Sequence, residues 1–318
     1  MTQTIYGIDV SKKTLDVRDS RSFKAKFDNT PRGRQALAKR IKDTAALVVM
    51  EATGNHHKTL ARELYEERIP VVVANPCRTS NFGRAIGAVN KNDTVDARTL
   101  ALYGQSVDLP LYEPPAEHRE KLQQISRLRQ KLVKQRASVK MQLHEPCLEP
   151  EVARFLKESV SFFDRQVASV EKLLKSHIGS HPDLNEDVAL VMSVPGFGWI
   201  SAVAHVAELG DASRFKTSRQ AASYAGICPA QVQSGTSKST THLSKAGRSR
   251  LRGSTYQAAM ACIRKNGIYR GFYVRLLSAG KTKMSAVAAV MHKLCRVAFA
   301  VLKKRTRIDG LKAGMTTA

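Results

Sequence analysis

Two short apolar runs near the start of the chain each end on a carboxylate, and that pairing limits the folds available. Ile5-Tyr-Gly-Ile-Asp9 reads as a strand closing on Asp9, and Ala45-Ala-Leu-Val-Val-Met-Glu51 as a second strand closing on Glu51. The unbroken apolar stretch Leu47–Met50 marks a buried central strand. A third acidic locus, Asn92-Asp-Thr-Val-Asp-Ala-Arg98, reads as the start of a helix. Its Asp93 and Asp96 are three apart and share one helical face. Carboxylates at two strand ends and on one helical face can converge on a single spot. Oxygen-only donors of this kind suit Mg²⁺ or Mn²⁺. Taken singly, each is equally well a surface acid or a cap, and Asp93 in particular fits an N-cap.

The partner of such a site follows from charge. The 318 residues carry 52 Lys and Arg against 27 Asp and Glu, a formal net charge of +25. That balance predicts a polyanionic partner. The excess is also localised. No Asp or Glu occurs between Ala212 and Ile308, a stretch with 20 Lys and Arg. A plain solvated surface mixes signs; an acid-free run fits extended phosphate contact with steep salt dependence. An acidic divalent-metal site inside a basic chain points to phosphodiester chemistry on nucleic acid.

The remaining features are exclusions. Cys77, Cys147, Cys228, Cys262 and Cys295 form no CxxC pair, so zinc is not expected. Their odd number, without a signal peptide, favours a reducing cytoplasm. No apolar run is long enough to span a bilayer as a helix. Met284–Leu302 comes nearest, but His292, Lys293 and Arg296 interrupt it, so it reads as a buried or amphipathic helix rather than a membrane span.

Pattern along the chain gives three regions. Residues 1–110 read as β-β-β-α-β-α-β-α, an α/β region with the order of a ribonuclease H-like fold. Prolines 110, 114 and 115 mark a boundary. Residues 111–180 read as two long helices, about 117–143 and 152–176, separated by Pro146 and Pro150: an all-α hairpin, read as a coiled coil. Its first arm is basic (Arg127, Arg129, Lys131, Lys134, Arg136, Lys140). Residues 181–318 read as a mostly helical basic domain. Within it Val191-Met-Ser-Val-Pro-Gly-Phe-Gly198 fits a helix-hairpin-helix turn. There Gly196 and Gly198 would let amides at the next helix face a phosphate, or would simply serve an αα-turn. The polar stretch Pro229-Ala-Gln-Val-Gln-Ser234-Gly-Thr-Ser-Lys-Ser239 and Leu243-Ser-Lys-Ala-Gly-Arg-Ser-Arg-Leu-Arg252 form a second locus, read as a loop followed by a basic helix. Lys238, Lys245, Arg248, Arg250 and Arg252 are its candidate phosphate contacts. A serine there needs activation to attack phosphorus. Composition does not choose among Ser234, Ser237, Ser239 and Ser244.

Gly7-Ile-Asp-Val-Ser-Lys12 also opens actin-like kinases, but those need further Gly-rich phosphate loops, and +25 is the wrong charge for a metabolite kinase. The set Gly7–Lys12, Glu51-Ala-Thr-Gly54, Asn75-Pro76, Lys91–Arg98, Pro195-Gly-Phe-Gly198, Ala225-Gly226, Ser234-Gly235 and Ser244-Lys-Ala-Gly247 resembles instead the DEDD-type insertion-sequence transposases. That family includes pilin-gene invertases and bridge-RNA-guided recombinases. The resemblance spans nearly the whole chain. It implies a RuvC-like N-terminal domain, a coiled-coil linker and a C-terminal transposase domain. It places the four metal ligands at Asp9, Glu51, Asp93 and Asp96 and the nucleophile at Ser234. It further implies double-stranded DNA as substrate, a noncoding guide RNA, and a homo-oligomer with composite sites, associated with the bacterial nucleoid. Transposition, inversion, and junction cleavage by water are the competing outcomes.

Overall fold

The five short runs expected as strands all form strands of one sheet. The computed structural model describes residues 4–19, 21–42, 46–52, 54–87, 93–232 and 240–309. It divides into two compact units, Met1–Pro114 and Pro115–Ala318.

In the first unit the order is β1 (Ile5–Val10), β2 (Thr14–Asp19), β3 (Lys24–Asp28), α1 (Pro31–Lys42), β4 (Leu47–Glu51), α2 (His56–Glu66), β5 (Val71–Ala74), α3 (Pro76–Ala85) and α4 (Asp93–Ser106). The sheet order is β3-β2-β1-β4-β5. The first three strands form an antiparallel meander, tightened at Ser11, whose hydroxyl accepts from Thr14 N at 2.9 Å. β1, β4 and β5 are parallel, as expected of strands joined through helices. Both sheet faces are covered. Tyr6, Ile8, Val48 and Met50 pack with Leu37, Ile41, Leu60 and Leu64 of α1 and α2. Ile5, Val49, Val72 and Ala74 pack with Leu100 and Tyr103 of α4. Burying each such side chain stabilises the fold by roughly 1.5–3 kcal/mol.

Among the described residues, the second unit is helical apart from one small hairpin. α5 (Glu117–Gln142) and α6 (Pro150–Gly179) pack on each other, with Arg129 bonded to Glu171 and Arg136 to Asp164 at 2.7 and 2.5 Å. Their buried residues gather at one end: Leu122, Ile125, Val167, Val170, Leu174 and Ile178. Phe155 and Phe162 of α6 are exposed. α7 (Pro182–Met192), a 3-10 turn (Ala212–Arg214), α9 (Ser218–Ala225), α10 (Ser249–Cys262) and α11 (Arg270–Ser278) pack around α12 (Lys283–Lys304), while α8 (Trp199–Leu209) packs on α5, α7 and α10. By length and composition α12 is apolar enough to cross a membrane; here Val290, Leu294, Ala298 and Val301 sit fully inside the unit. The expected polar loop contains two four-residue strands, β6 (Pro229–Val232) and β7 (Thr240–Leu243), paired antiparallel.

Candidate active site

Register on the sheet fixes where two of the carboxylates fall. Ile8 of β1 pairs with Met50 of the parallel β4. The next residues, Asp9 and Glu51, therefore stand at the same step on neighbouring strands. Side chains alternate between faces. Ile8 and Met50 face α1 and α2, whereas Ile5 and Val49 face α4. By alternation Asp9 and Glu51 belong to the α4 side, and both are half-buried.

α4 approaches the same end from the opposite direction. A Cβ built on Gly104 would meet Val49 Cγ2 at 2.6 Å and Ile5 Cγ2 at 3.1 Å. A Cβ on Gly7 would stand 2.0 Å from Ala97 O and 2.5 Å from Ala101 N. Going from Ile5 to Gly7 to Asp9 along β1 thus means going from Gly104 to Ala101 to Ala97 along α4, towards its first turn. That turn carries Asp96 and Asp93. The helix backbone rests on the strand backbone because residue 7 has no side chain.

Asp96 is half-buried on α4. The side chain of Asp93 lies outside the described residues. Among the described residues, no three Asp, Glu, His or Cys side chains form a group that could hold a metal ion. The donor chemistry still fits a hard cation. The four positions offer oxygen alone, with neither thiolate nor imidazole, as Mg²⁺ and Mn²⁺ prefer.

Glu51 has a partner that sequence reasoning missed. Thr79, 3% exposed, donates its hydroxyl to Glu51 Oε2 at 2.6 Å. It sits in the first turns of α3, which begins where β5 ends. Asn75 caps that helix by accepting from Cys77 N at 2.9 Å, and Pro76 follows at a first-turn position. A cap one turn ahead of a threonine is visible in the sequence. The carboxylate that the threonine meets, on a strand much earlier in the chain, is not.

Ser234 and Lys238 fall between β6 and β7, outside the described residues. Lys245, Arg248 and Arg250 are exposed. Arg252 is half-buried and donates through Nη1 to Ala225 O at 3.2 Å, so it ties backbone together. Gly198 is the exposed N-cap of α8. Gly196 packs inward, where an added Cβ would stand 2.3 Å from Ala258 O of α10.

Residues 6–149 match a DEDD transposase family model of the IS110 type, described as "Transposase". Residues 188–274 match the model described as "Transposase IS116/IS110/IS902 family". A pilin gene-inverting protein of Moraxella bovis is 26% identical over 97% of this chain and 98% of its own length. The transposase for insertion sequence element IS1328 of Yersinia enterocolitica is 22% identical over 95% of this chain and 98% of its own. The transposase for element IS1111A of Coxiella burnetii is 23% identical, covering 81% and 78%.

Proposed function

We infer, from the premise that this chain belongs to the IS110-type transposase family, that it is a DNA-cleaving and rejoining enzyme whose first unit is a ribonuclease H/RuvC-like catalytic domain. The single observation carrying that domain reading is the shared register step of Asp9 and Glu51 on adjacent parallel strands, with the start of α4 directed to the same end. The sheet order β3-β2-β1-β4-β5, antiparallel then parallel, supports it as well.

In this reading Asp9, Glu51, Asp93 and Asp96 hold Mg²⁺ or Mn²⁺. When bound, the cation neutralises the scissile phosphate and favours attack on it. Thr79 fixes the Glu51 carboxylate in one orientation. The Ser234 hydroxyl attacks phosphorus: an Oγ–P bond forms, the P–O bond to one DNA end breaks, and the proton passes to the departing DNA oxygen. A hydroxyl of the exchanged strand then attacks the phosphoserine and restores Ser234, so no external energy source is required. The serine role rests on the resemblance; the matched model takes its name from acidic residues, and attack by water is the rival chemistry. The basic second unit holds DNA through phosphate contacts. A guide RNA, nucleoid location and an assembly in which a partner copy supplies the serine rest on the resemblance too. Exposed Phe155 and Phe162 on the α5–α6 hairpin are consistent with a coiled-coil seam in that assembly.

A covalent-trapping experiment tests the mechanism. Protein, Mg²⁺, element-end DNA and the flanking transcript are combined, denatured and resolved on a gel. A protein–DNA adduct lost in both Ser234→Ala and Asp96→Ala is the expected result. Nicked DNA without an adduct, persisting in Ser234→Ala, assigns the attack to water. Omitting the transcript tests the guide: cleavage that proceeds equally without it removes RNA from the reading.

A further inference from the structure

A cluster in the second unit lies outside the carboxylate chemistry. α9 ends at Gly226, whose φ of 68° is left-handed. The chain returns past it after the β6–β7 hairpin. A Cβ on Gly247 would stand 2.4 Å from both Gly226 N and Tyr224 O, so two backbones meet here with no room for side chains. The junction is tied by Arg248 N to Tyr224 O at 2.8 Å and Lys245 N to Gly226 O at 3.2 Å. Its consequence is to set Arg248, the residue before α10, against Tyr224.

Two guanidiniums share that ring. Arg248 lies 5.4 Å from the Tyr224 centroid and Arg214 lies 4.6 Å from it. Arg214 also covers Phe215 at 4.8 Å, and Phe215 is buried against Phe299. A third arginine, Arg127 of α5, stands behind. It forks onto Glu208 through Nε at 2.6 Å and Nη2 at 2.8 Å. Glu208 is 2% exposed, and Arg248 Nη1 lies 3.8 Å from its Oε2. Two acids border the cluster and both are engaged: Glu208 by Arg127, and Asp211 by Ser213 N and Oγ at 2.7 Å each.

Stacking uses the face of a guanidinium and leaves its edge donors free for an in-plane pair of acceptors. Two exposed arginines held over one ring concentrate positive charge, and Glu208 and Asp211, already engaged by Arg127 and Ser213, leave room for a further anion to join them. Such an anion needs at least two acceptor oxygens, which a nucleic-acid phosphodiester supplies. We propose that Arg214 and Arg248, both over the Tyr224 ring, with buried Glu208 beside Arg248, form a phosphodiester-binding clasp at the base of the β6–β7 hairpin. The choice of polyanion rests on the recombinase reading above.

The test uses the full chain, fluorescence anisotropy, and two probes of equal length: a random-sequence DNA duplex and a single-stranded RNA. The double variant Arg214→Gln/Arg248→Gln should weaken duplex binding about tenfold or more and lower the salt slope by about two. Arg264→Gln/Lys265→Gln removes equal charge at the far end of α10, about 20 Å away, and should change binding less than about threefold. Thermal melts check that both variants fold. Equal losses in the two variants would mean bulk charge, and no loss in the first would mean no clasp; either overturns the proposal. Loss on the RNA probe alone keeps the clasp and assigns it to RNA. Arg214→Lys/Arg248→Lys should recover only part of the affinity, and full recovery would remove the stacking from the argument. Loss of the clasp with Asp9-dependent cleavage intact defeats this proposal alone. Clasp binding without any metal-dependent cleavage defeats the recombinase reading alone.

Discussion

The acidic edge of the first unit and the Tyr224 junction of the second are built by the same device and present opposite charge. In each, glycine lets one backbone lie on another: Gly7 under Ala97 and Ala101, Gly226 against Gly247. At the first, the close approach brings the start of α4 towards the strand ends that carry Asp9 and Glu51. At the second, it brings Arg248 to a ring already covered by Arg214. The difference lies in what surrounds the charge. Acids of the second unit are met by arginine: Glu208 by Arg127, Asp183 and Asp187 by Arg119, and Glu186 and Asp187 by Arg305. Glu51 is met by a neutral hydroxyl, which orients a carboxylate without cancelling it. Elsewhere in the first unit acids are paired as in the second, Glu63 with Arg34 and Glu67 with Lys42, so the contrast is between the two sites and not between the two units.

The largest expected effect tests that distinction. Asp9→Asn keeps shape and removes one anionic oxygen donor. Loss of a partner one shell further out already lowers metal affinity or activity about 10–100-fold, so strand cleavage should fall by more than about 100-fold. In the proposed metal site, carboxylates brought together repel when no cation is bound, so folding stability should hold or rise. Cleavage kinetics beside a thermal melt read both. A variant that loses stability and activity together would make Asp9 an ordinary structural acid.

Asp9 also shows how much of the site the sequence carries. Apolar runs ending at Asp9 and Glu51, and the i,i+3 spacing of Asp93 and Asp96, are local patterns, and regular strands and a helix turn them into positions. Thr79 is invisible in the sequence because nothing local marks a hydroxyl as facing a carboxylate on a distant strand. The β6–β7 hairpin reads as loop because such short strands, containing Pro229 and polar residues, have no apolar alternation. Ala225-Gly226 and Ser244-Lys-Ala-Gly247 are recognisable as motifs, but their physical reason is a contact between segments on either side of that hairpin. Arg214, Tyr224 and Glu208 escape a sequence reading for the same reason: stacking and burial between distant segments leave no periodic trace.

The next effect concerns acid. His205 of α8 is fully buried against Phe197, with no hydrogen-bond partner at either ring nitrogen. Burial pushes its pKa down from 6.5 to about 4. A depressed histidine leaves stability intact above the unfolded value and withdraws it as pH falls from about 6.5 towards 4. The loss should approach roughly 3 kcal/mol at the lower end. Asp183 and Asp211, whose pKa values are lowered, against the upward push of burial, by their hydrogen bonds and neighbouring cations, add a further loss at lower pH. His205→Leu should flatten the pH dependence of the melting temperature across that window and raise it at about pH 5. An unchanged slope would place the acid sensitivity elsewhere.

Gly7→Ala and Gly247→Ala compare the two backbone contacts directly. Each methyl would meet backbone at 2.0 and 2.4 Å respectively, so something must shift, at a cost of about 1–3 kcal/mol each. The functional consequences should separate. Gly7→Ala should depress cleavage while duplex binding persists; Gly247→Ala should depress binding through displaced Arg248. Anisotropy and cleavage assays on both proteins decide it, and identical profiles would dissolve the contrast between the two sites.

The smallest effect is the most specific. Thr79→Val keeps volume and branching and removes only the hydroxyl that donates to Glu51 Oε2. The carboxylate then loses one constraint on its orientation while Asn75 still caps α3. Metal affinity, read by calorimetric Mn²⁺ titration of the protein alone, should fall about tenfold. Cleavage should fall with it at low Mn²⁺ and recover when the ion is raised. Thr79→Ser restores the donor and should restore affinity even though it opens a small cavity. If valine and serine behave alike, Thr79 matters to the fold through packing, and the hydroxyl has no part in steadying Glu51.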